Sequence, residues 1–210
     1  MGVRAVTRDD LWEVARIHKA RFCTPDYTLG QYSVSLIRKF YALFLGRCVF
    51  LAHISDRGID GFVLGGERGD LDAAEHAFLR KHLFRCCLET LFHPRLWPAA
   101  YGTLRKLSLS KSKRPVQQPA PAAPALPRLL SIAVDASAEG SGAAGELVAA
   151  FESSISSRCA AYELSVVKTN LQAVRFYEKL GLTLVATASP KYFTFRREFK
   201  QPRSSSLQEP

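Results

Sequence analysis

The stretch Lys168-Thr-Asn-Leu-Gln-Ala-Val-Arg-Phe-Tyr-Glu-Lys-Leu-Gly-Leu182 carries the most informative pattern in the chain. From Asn170 to Leu180 it reads as a helix. Asn170 is a residue type that caps N-termini, and Gly181 lacks the Cβ that would oppose a left-handed C-terminal cap. At about 100° per residue, the seven positions from Asn170 to Tyr177 return the chain to within about 20° of the same face. That face can address one elongated ligand, and the small Ala173 between the two leaves room for it. Plainer roles stand beside this one: Asn170 as an N-cap, Tyr177 as a core aromatic, and Phe176 as packing.

Upstream lies a second informative unit. Leu129-Leu-Ser-Ile-Ala-Val reads as a strand, Glu139-Gly-Ser-Gly-Ala-Ala-Gly145 as a glycine-rich loop, and the segment to about Arg158 as a helix. Tyr162-Glu-Leu-Ser-Val-Val is a strand again. The first N–H groups of a helix lack internal partners and sit at its positive end. Glycines before them allow an anion to approach the backbone, so a strand–glycine loop–helix unit suits a phosphate. No Gly-Lys-Ser/Thr follows, which excludes a P-loop. Gly140-x-Gly142-x-x-Gly145 has dinucleotide-fingerprint spacing, but it comes late in the chain without a second βαβ unit. Glu163, after the helix and beside a strand, keeps that reading open, as does a plain tight turn.

Further out, Val3-Arg-Ala-Val reads as a short strand and Thr7 as the N-cap of a helix through Leu11, Val14, Ala15, Ile17 and His18. Ser33 to Leu45 is amphipathic, with Val34, Ile37, Phe40, Tyr41 and Phe44 on one face. Residues 48–54 and 61–66 form a hairpin around Ser55-Asp-Arg-Gly-Ile-Asp. Residues 70–109 alternate aromatic or aliphatic side chains with Arg80, Lys81, Arg85 and Arg95, which predicts helices interrupted at Pro94 and Pro98. A basic, proline- and alanine-rich linker, residues 111–127, follows. Leu182 to Ala188 and Tyr192 to Phe199 make a last strand pair around Ser189-Pro190. The tail over 201–210 is polar and expected to be disordered.

Composition narrows the classes. Of 210 residues, 47% are hydrophobic, enough for one sizeable core. No apolar run is long enough to cross a bilayer, and the first residues lack a secretory signal, so a cytoplasmic enzyme is expected. Five cysteines (Cys23, Cys48, Cys86, Cys87 and Cys159) form no C-x-x-C pair and read as buried small hydrophobes, and the five histidines show no metal spacing. Lys plus Arg is 29 against 19 acidic residues, a net charge of +10. That excess suits an anionic ligand as well as a solvated surface. No nucleic-acid recognition pattern accompanies it.

The two units together resemble the GNAT superfamily of N-acetyltransferases. Its Asn-x-x-Ala-x-x-Phe-Tyr-x-x-x-Gly-Phe signature is met at Asn170, Ala173, Phe176, Tyr177 and Gly181, with Leu182 for the final Phe. Its Arg/Gln-x-x-Gly-x-Gly/Ala pyrophosphate loop is met at Gly142 and Ala144, while Glu139 departs from the Arg or Gln of the pattern. The resemblance spans roughly residues 3–199 and is weakest over 70–127. It implies an α/β (α+β) GNAT fold over 1–200: a mixed, twisted sheet of six or seven strands flanked by helices, with a helical insertion before the fourth strand.

The resemblance also implies acetyl-CoA as acetyl donor, wedged between the strands at 129–134 and 162–167. Main-chain groups of Ile132, Ala133 and Val134 would hold the pantetheine and polarise the thioester carbonyl. Glu139, Gly140, Ser141, Gly142, Ala143 and Ala144 would cradle the pyrophosphate, with Glu139 turned outward and giving only its backbone. Asn170, Ala173 and Phe176 would line the cofactor, and Tyr177 would protonate the leaving thiolate. Candidates for the base are Asp135, Glu163, His18, Glu67 and water. The acceptor is a primary amine, in the first place an amino sugar or nucleotide-linked amino sugar. A protein N-terminus or lysine is the alternative, and so is a non-catalytic CoA-binding module whose basic segment at 78–95 docks a membrane or partner. A homodimer is compatible with the family.

Overall fold

The computed structural model describes residues 2–92, 125–185 and 190–199. In chain order these form β1 (Gly2–Ala5), α1 (Leu11–Phe22), α2 (Thr28–Gln31), α3 (Val34–Tyr41), β2 (Val49–Ser55), β3 (Gly58–Gly66) and α4 (Arg68–Phe92). The second half holds β4 (Arg128–Val134), a 3-10 turn (Ala136–Ala138), α5 (Ala143–Ile155), β5 (Ala161–Val167), α6 (Leu171–Lys179), β6 (Thr183–Val185) and β7 (Tyr192–Glu198). The strands make one seven-stranded mixed sheet in the order β1-β2-β3-β4-β5-β7-β6. Every neighbouring pair is antiparallel except β4 with β5. The α/β class, the flanking helices and a helix inserted before the fourth strand are as the sequence predicts.

The pleat sorts the core into two clusters. Along β3, Phe62 and Leu64 go to one side and Val63 to the other, all fully buried. The first side is closed by Leu11, Val14 and Ile17 of α1 with Ile37 and Tyr41 of α3. On the second, Leu147, Val148, Phe151 and Ile155 of α5 pack with Tyr162, Leu164, Tyr177 and Phe195. This second helix comes very close to β3. A Cβ on Gly65 would stand 2.6 Å from Arg128 O and 2.6 Å from the Phe151 ring, so only glycine fits there.

Several local readings are corrected. The first helix opens at Leu11, not after Thr7, because the Asp10 carboxylate accepts from Thr7 N–H (2.7 Å) and Oγ (2.8 Å) and holds residues 8–10 in a turn. The same carboxylate binds Arg4, which holds its pKa well below the usual carboxylate range. The cysteines are not uniformly buried: Cys86 is, Cys23 and Cys87 are exposed, and Cys48 and Cys159 lie between. Residues 70–92 belong to a single helix, with Leu83 and Phe84 56% and 82% exposed, so this segment is only partly packed on the core. Pro94, Pro98, the linker to residue 124, residues 186–189 and the tail lie outside the described residues.

The helix read from Ser33 to Leu45 ends at Tyr41, while other readings hold. Ser33 caps α3 through Leu36 N–H, and the Glu89 carboxylate of α4 accepts from Ser33 N–H and Oγ at 2.7 Å each, tying the two helices. Gly181 has φ +79° and closes α6 in a Schellman arrangement, with Gly181 N–H on Glu178 O and Leu182 N–H on Tyr177 O. No described helix is long and apolar enough to cross a membrane.

Candidate active site

β4 and β5 are paired only at Arg128↔Glu163 and Leu129↔Leu164, although each strand has seven residues. Past Leu129 they part. The parting coincides with a β-bulge, because β4 advances two residues, Leu129 to Ser131, while β3 advances one, Gly65 to Leu64. An extra residue bends the strand that carries it. Asp135 N–H donates to Asp60 O at 2.6 Å, and bonding alternates along an antiparallel strand. Ile132 and Val134 therefore turn their N–H and C=O groups away from β3, to the open edge.

A cavity of about 540 Å³ fills the gap. One wall is β4 from Leu129 to Val134, and the opposite wall is Leu164, Ser165 and Val166 of β5. Asn170, Gln172, Ala173, Phe176 and Tyr177 of α6 and the turn before it also line the cavity. The predicted common face of that helix thus meets the cavity. Asn170 also caps α6, with Oδ1 accepting from Ala173 N–H at 3.1 Å, so the cap and the wall position coexist.

The cavity also meets the loop before α5. Glu139, Gly140, Gly142, Ala143, Ala144 and Gly145 all line it. Gly140 and Gly142 have φ +77° and +92°, a region that L side chains rarely adopt, and nothing stands within 4 Å of a Cβ built on either. Ala143 N–H donates to Ser141 Oγ and Glu146 N–H to Gly142 O. The first-turn donors of Ala144 and Gly145 thus lie between, where a helix has no carbonyl to offer them. Ser141 is the one predicted cofactor-contacting residue off the wall. Its hydroxyl donates to Ala138 O at 2.7 Å and so shapes the loop instead.

Glu139 departs from expectation. It does not turn outward with only its backbone offered; it lines the cavity and pairs with Arg21. Arg21 is a residue the sequence reading missed, along with Phe22 and Tyr27 beside it on the wall. A signal existed. Seven positions after the buried Val14, Arg21 continues the inward stripe of α1, where a charge needs a partner.

Tyr177 is 4% exposed and packs against Phe176 and Phe195, with ring centroids 5.2 and 6.1 Å away. Burial, with a smaller contribution from Tyr27, pushes its phenol above the ordinary range, so it stays protonated. Among the described residues no protein group hydrogen-bonds its hydroxyl.

None of the four side chains considered as bases lines the cavity. Asp135 accepts from Ser137 N–H and Oγ and from Arg16. Glu163 is held by Arg196 at 2.7 Å and Arg68 at 3.2 Å. His18 is buried, with Nδ1 2.7 Å from Tyr41 Oη, which in turn lies 3.1 Å from Ser131 Oγ on β4. Among the described residues no cluster of His, Cys, Asp or Glu could hold a metal ion.

Comparison with solved structures places this architecture. The crystal structure of Ard1 from Thermoplasma volcanium superposes with a TM-score of 0.57, at 17% identity over 95% of this chain and 97% of that one. An N-acetyltransferase from Staphylococcus aureus Mu50 gives 0.61, at 13% identity over 94% and 100%. The chain has the GNAT fold. At these identities the likeness is one of fold. A third GNAT-like neighbour, described as histone acetyltransferase HPA2 and related acetyltransferase from Corynebacterium glutamicum, gives 0.52 at 15% identity over 96% and 98%. Residues 113–182 match the model of the acetyltransferase (GNAT) family, a span that contains β4, the glycine loop, β5 and α6. A search of curated proteins finds no match. The family model takes in 70 of the 210 residues, and it agrees with the structural neighbours on the fold.

Proposed function

We propose that this protein is an acetyl-CoA-dependent N-acetyltransferase that passes the acetyl group to a primary amine by direct attack. The observation that carries the proposal is the parting of β4 from β5, which opens one cavity lined by both the glycine loop and Tyr177. An elongated thioester with a pyrophosphate along its length fits that sequence of surfaces. Gly140 and Gly142 hold a positive-φ backbone shape with no side chain of their own, and the unpaired edge of β4 offers polar main chain to an amide-bearing arm.

When bound, acetyl-CoA supplies an activated acetyl thioester. The first-turn N–H groups of α5 would bind its pyrophosphate. Ile132 and Val134 would hold the pantetheine arm by main-chain hydrogen bonds and aim a donor at the carbonyl oxygen, in the manner of an oxyanion hole. Ala133 keeps that backbone in place through its own bonds to β3. Ala173 and Phe176 would shape the channel, and Asn170 would fix the start of α6 against it. Tyr177 holds a proton at its hydroxyl and would deliver it to the departing sulfur. Glu139 is the one carboxylate on the wall among the described residues, and it belongs to the glycine loop that would hold the pyrophosphate, so water would take the amine's proton.

The net charge of +10 favours an acceptor that carries anionic groups, such as an amino sugar on a nucleotide. A protein amine is the competing class, and one structural neighbour is described as a histone acetyltransferase. Calorimetric titration with acetyl-CoA, followed by thiol release over amino sugars, nucleotide-linked amino sugars, small amines and peptides, tests the reading. Micromolar binding with amine-dependent release of free thiol is expected. Binding without release for any amine would leave a CoA-binding module, and absence of binding would overturn the whole assignment.

A further inference from the structure

We propose that Arg21 of α1 supplies the side-chain positive charge for the pyrophosphate of the bound cofactor, and that Glu139 is its resting counter-ion, which the phosphate displaces. This rests on the acetyl-CoA reading of the cavity.

A carboxylate at the mouth of an anion cradle repels what the cradle is built to bind. Glu139 stands there, on the cavity wall next to Gly140. Left alone, it would neutralise the positive end of the α5 dipole that attracts an anion and would repel a phosphate at short range. Arg21 answers it from a different element, since its guanidinium pairs with the Glu139 carboxylate and both residues line the same cavity. The charge needed at the loop is therefore delivered across the fold by α1.

Arg21 is well placed to do more than neutralise. It sits in the last turn of α1, whose Val14, Ile17 and His18 are buried, so its backbone is anchored. Its side chain is about one-third exposed. A guanidinium has five N–H donors in a rigid fork. One nitrogen engages Glu139, and among the described residues the group has no other partner. The remaining donors suit the two-oxygen face of a phosphate. Four residues upstream of Glu139 a second pair, Arg16–Asp135 at 3.0 Å, ties the same helix to the same connection. That strut holds α1 against the loop whether or not Arg21 stays on Glu139.

A structural role and a ligand role make opposite demands on Glu139. If Arg21 only braced the loop through the ion pair, losing either partner would weaken cofactor binding alike. If Arg21 binds phosphate, losing Glu139 frees it and removes a competing negative charge. The test is calorimetric binding of CoA and of 3′-dephospho-CoA to wild type, Arg21→Gln and Glu139→Gln, each checked for an intact thermal transition. Arg21→Gln is expected to weaken CoA binding by about 10- to 100-fold. Glu139→Gln is expected to strengthen it several-fold, with both changes retained for 3′-dephospho-CoA and diminished by salt. Weakening by both substitutions, or no change in Arg21→Gln, would overturn the proposal while wild-type binding upheld the cofactor reading. A penalty that vanished with 3′-dephospho-CoA would assign Arg21 to the 3′-phosphate and also overturn it. Failure of wild type to bind CoA would remove the cofactor reading itself.

Discussion

Removal of one oxygen atom, in Tyr177→Phe, separates a chemical role for this residue from a packing role. The ring is 4% exposed and wedged among Phe176, Phe195 and the aliphatic core of α5 and β5, and phenylalanine fills nearly the same volume. No described protein group hydrogen-bonds the hydroxyl, so its loss leaves no buried partner unsatisfied. The substitution should therefore shift unfolding free energy by no more than about 0.5 kcal/mol. If the hydroxyl protonates the leaving thiolate, kcat falls by about 10²- to 10⁴-fold, equivalent to roughly 3–5 kcal/mol of barrier, with little change in acetyl-CoA affinity. The pH profile carries a second check. Burial raises the phenol's pKa, so the acid form persists through alkaline pH, and no loss of kcat from this group is expected up to about pH 10. The assay is steady-state thiol release over pH 7–10 with calorimetric binding alongside. A kcat within threefold of wild type would refute the role, as would a rate loss matched by a collapsed thermal transition.

Three other outcomes follow from the geometry. His18 is buried against Tyr41, and burial, with a smaller effect of Lys19, pushes its pKa down to about 3. Between the unfolded value near 6.5 and that folded value the unfolded chain binds the extra proton, so stability falls as pH drops below about 6.5, by up to about 1.4 kcal/mol per unit; urea titrations at pH 7.5 and 5.0 should show the loss, and His18→Gln should flatten it. Gly65→Ala places a methyl 2.6 Å from both Arg128 O and the Phe151 ring and should cost about 1–3 kcal/mol, read as a lowered Tm. Gly142→Ala meets no neighbour but must hold φ +92°, so it should cost about 1–2 kcal/mol from backbone strain alone, with weaker CoA binding by calorimetry.

What could be read locally was read well. The α6 helix, its Asn170 cap and its Gly181 closure depend on residues within one or two turns of each other, and so does the glycine loop that opens α5. The hairpin of β2 and β3 is likewise a matter of alternation around a short turn. Thr7 and Glu139 misled for two different reasons. Asp10 captures the Thr7 donors through a pairing with Arg4 on β1, and Glu139 is turned to the cavity by a guanidinium more than a hundred residues earlier in the chain. The first capture joins residues at most six apart along the chain, whereas the second joins two distant elements.

The amino-acid sequence by itself determined which segments become strands and helices, where the glycine loop and the Asn170–Tyr177 face fall, and hence the kind of fold. Only the tertiary structure decided that β4 bulges at Leu130 and leaves β5 after Leu129, that the loop and α6 meet at one cavity, and that Arg21 stands against Glu139. The division is physical: periodicity and capping act over a few residues, whereas strand register, strand parting and ion pairing between distant elements exist only once the sheet has assembled and its two faces have been covered.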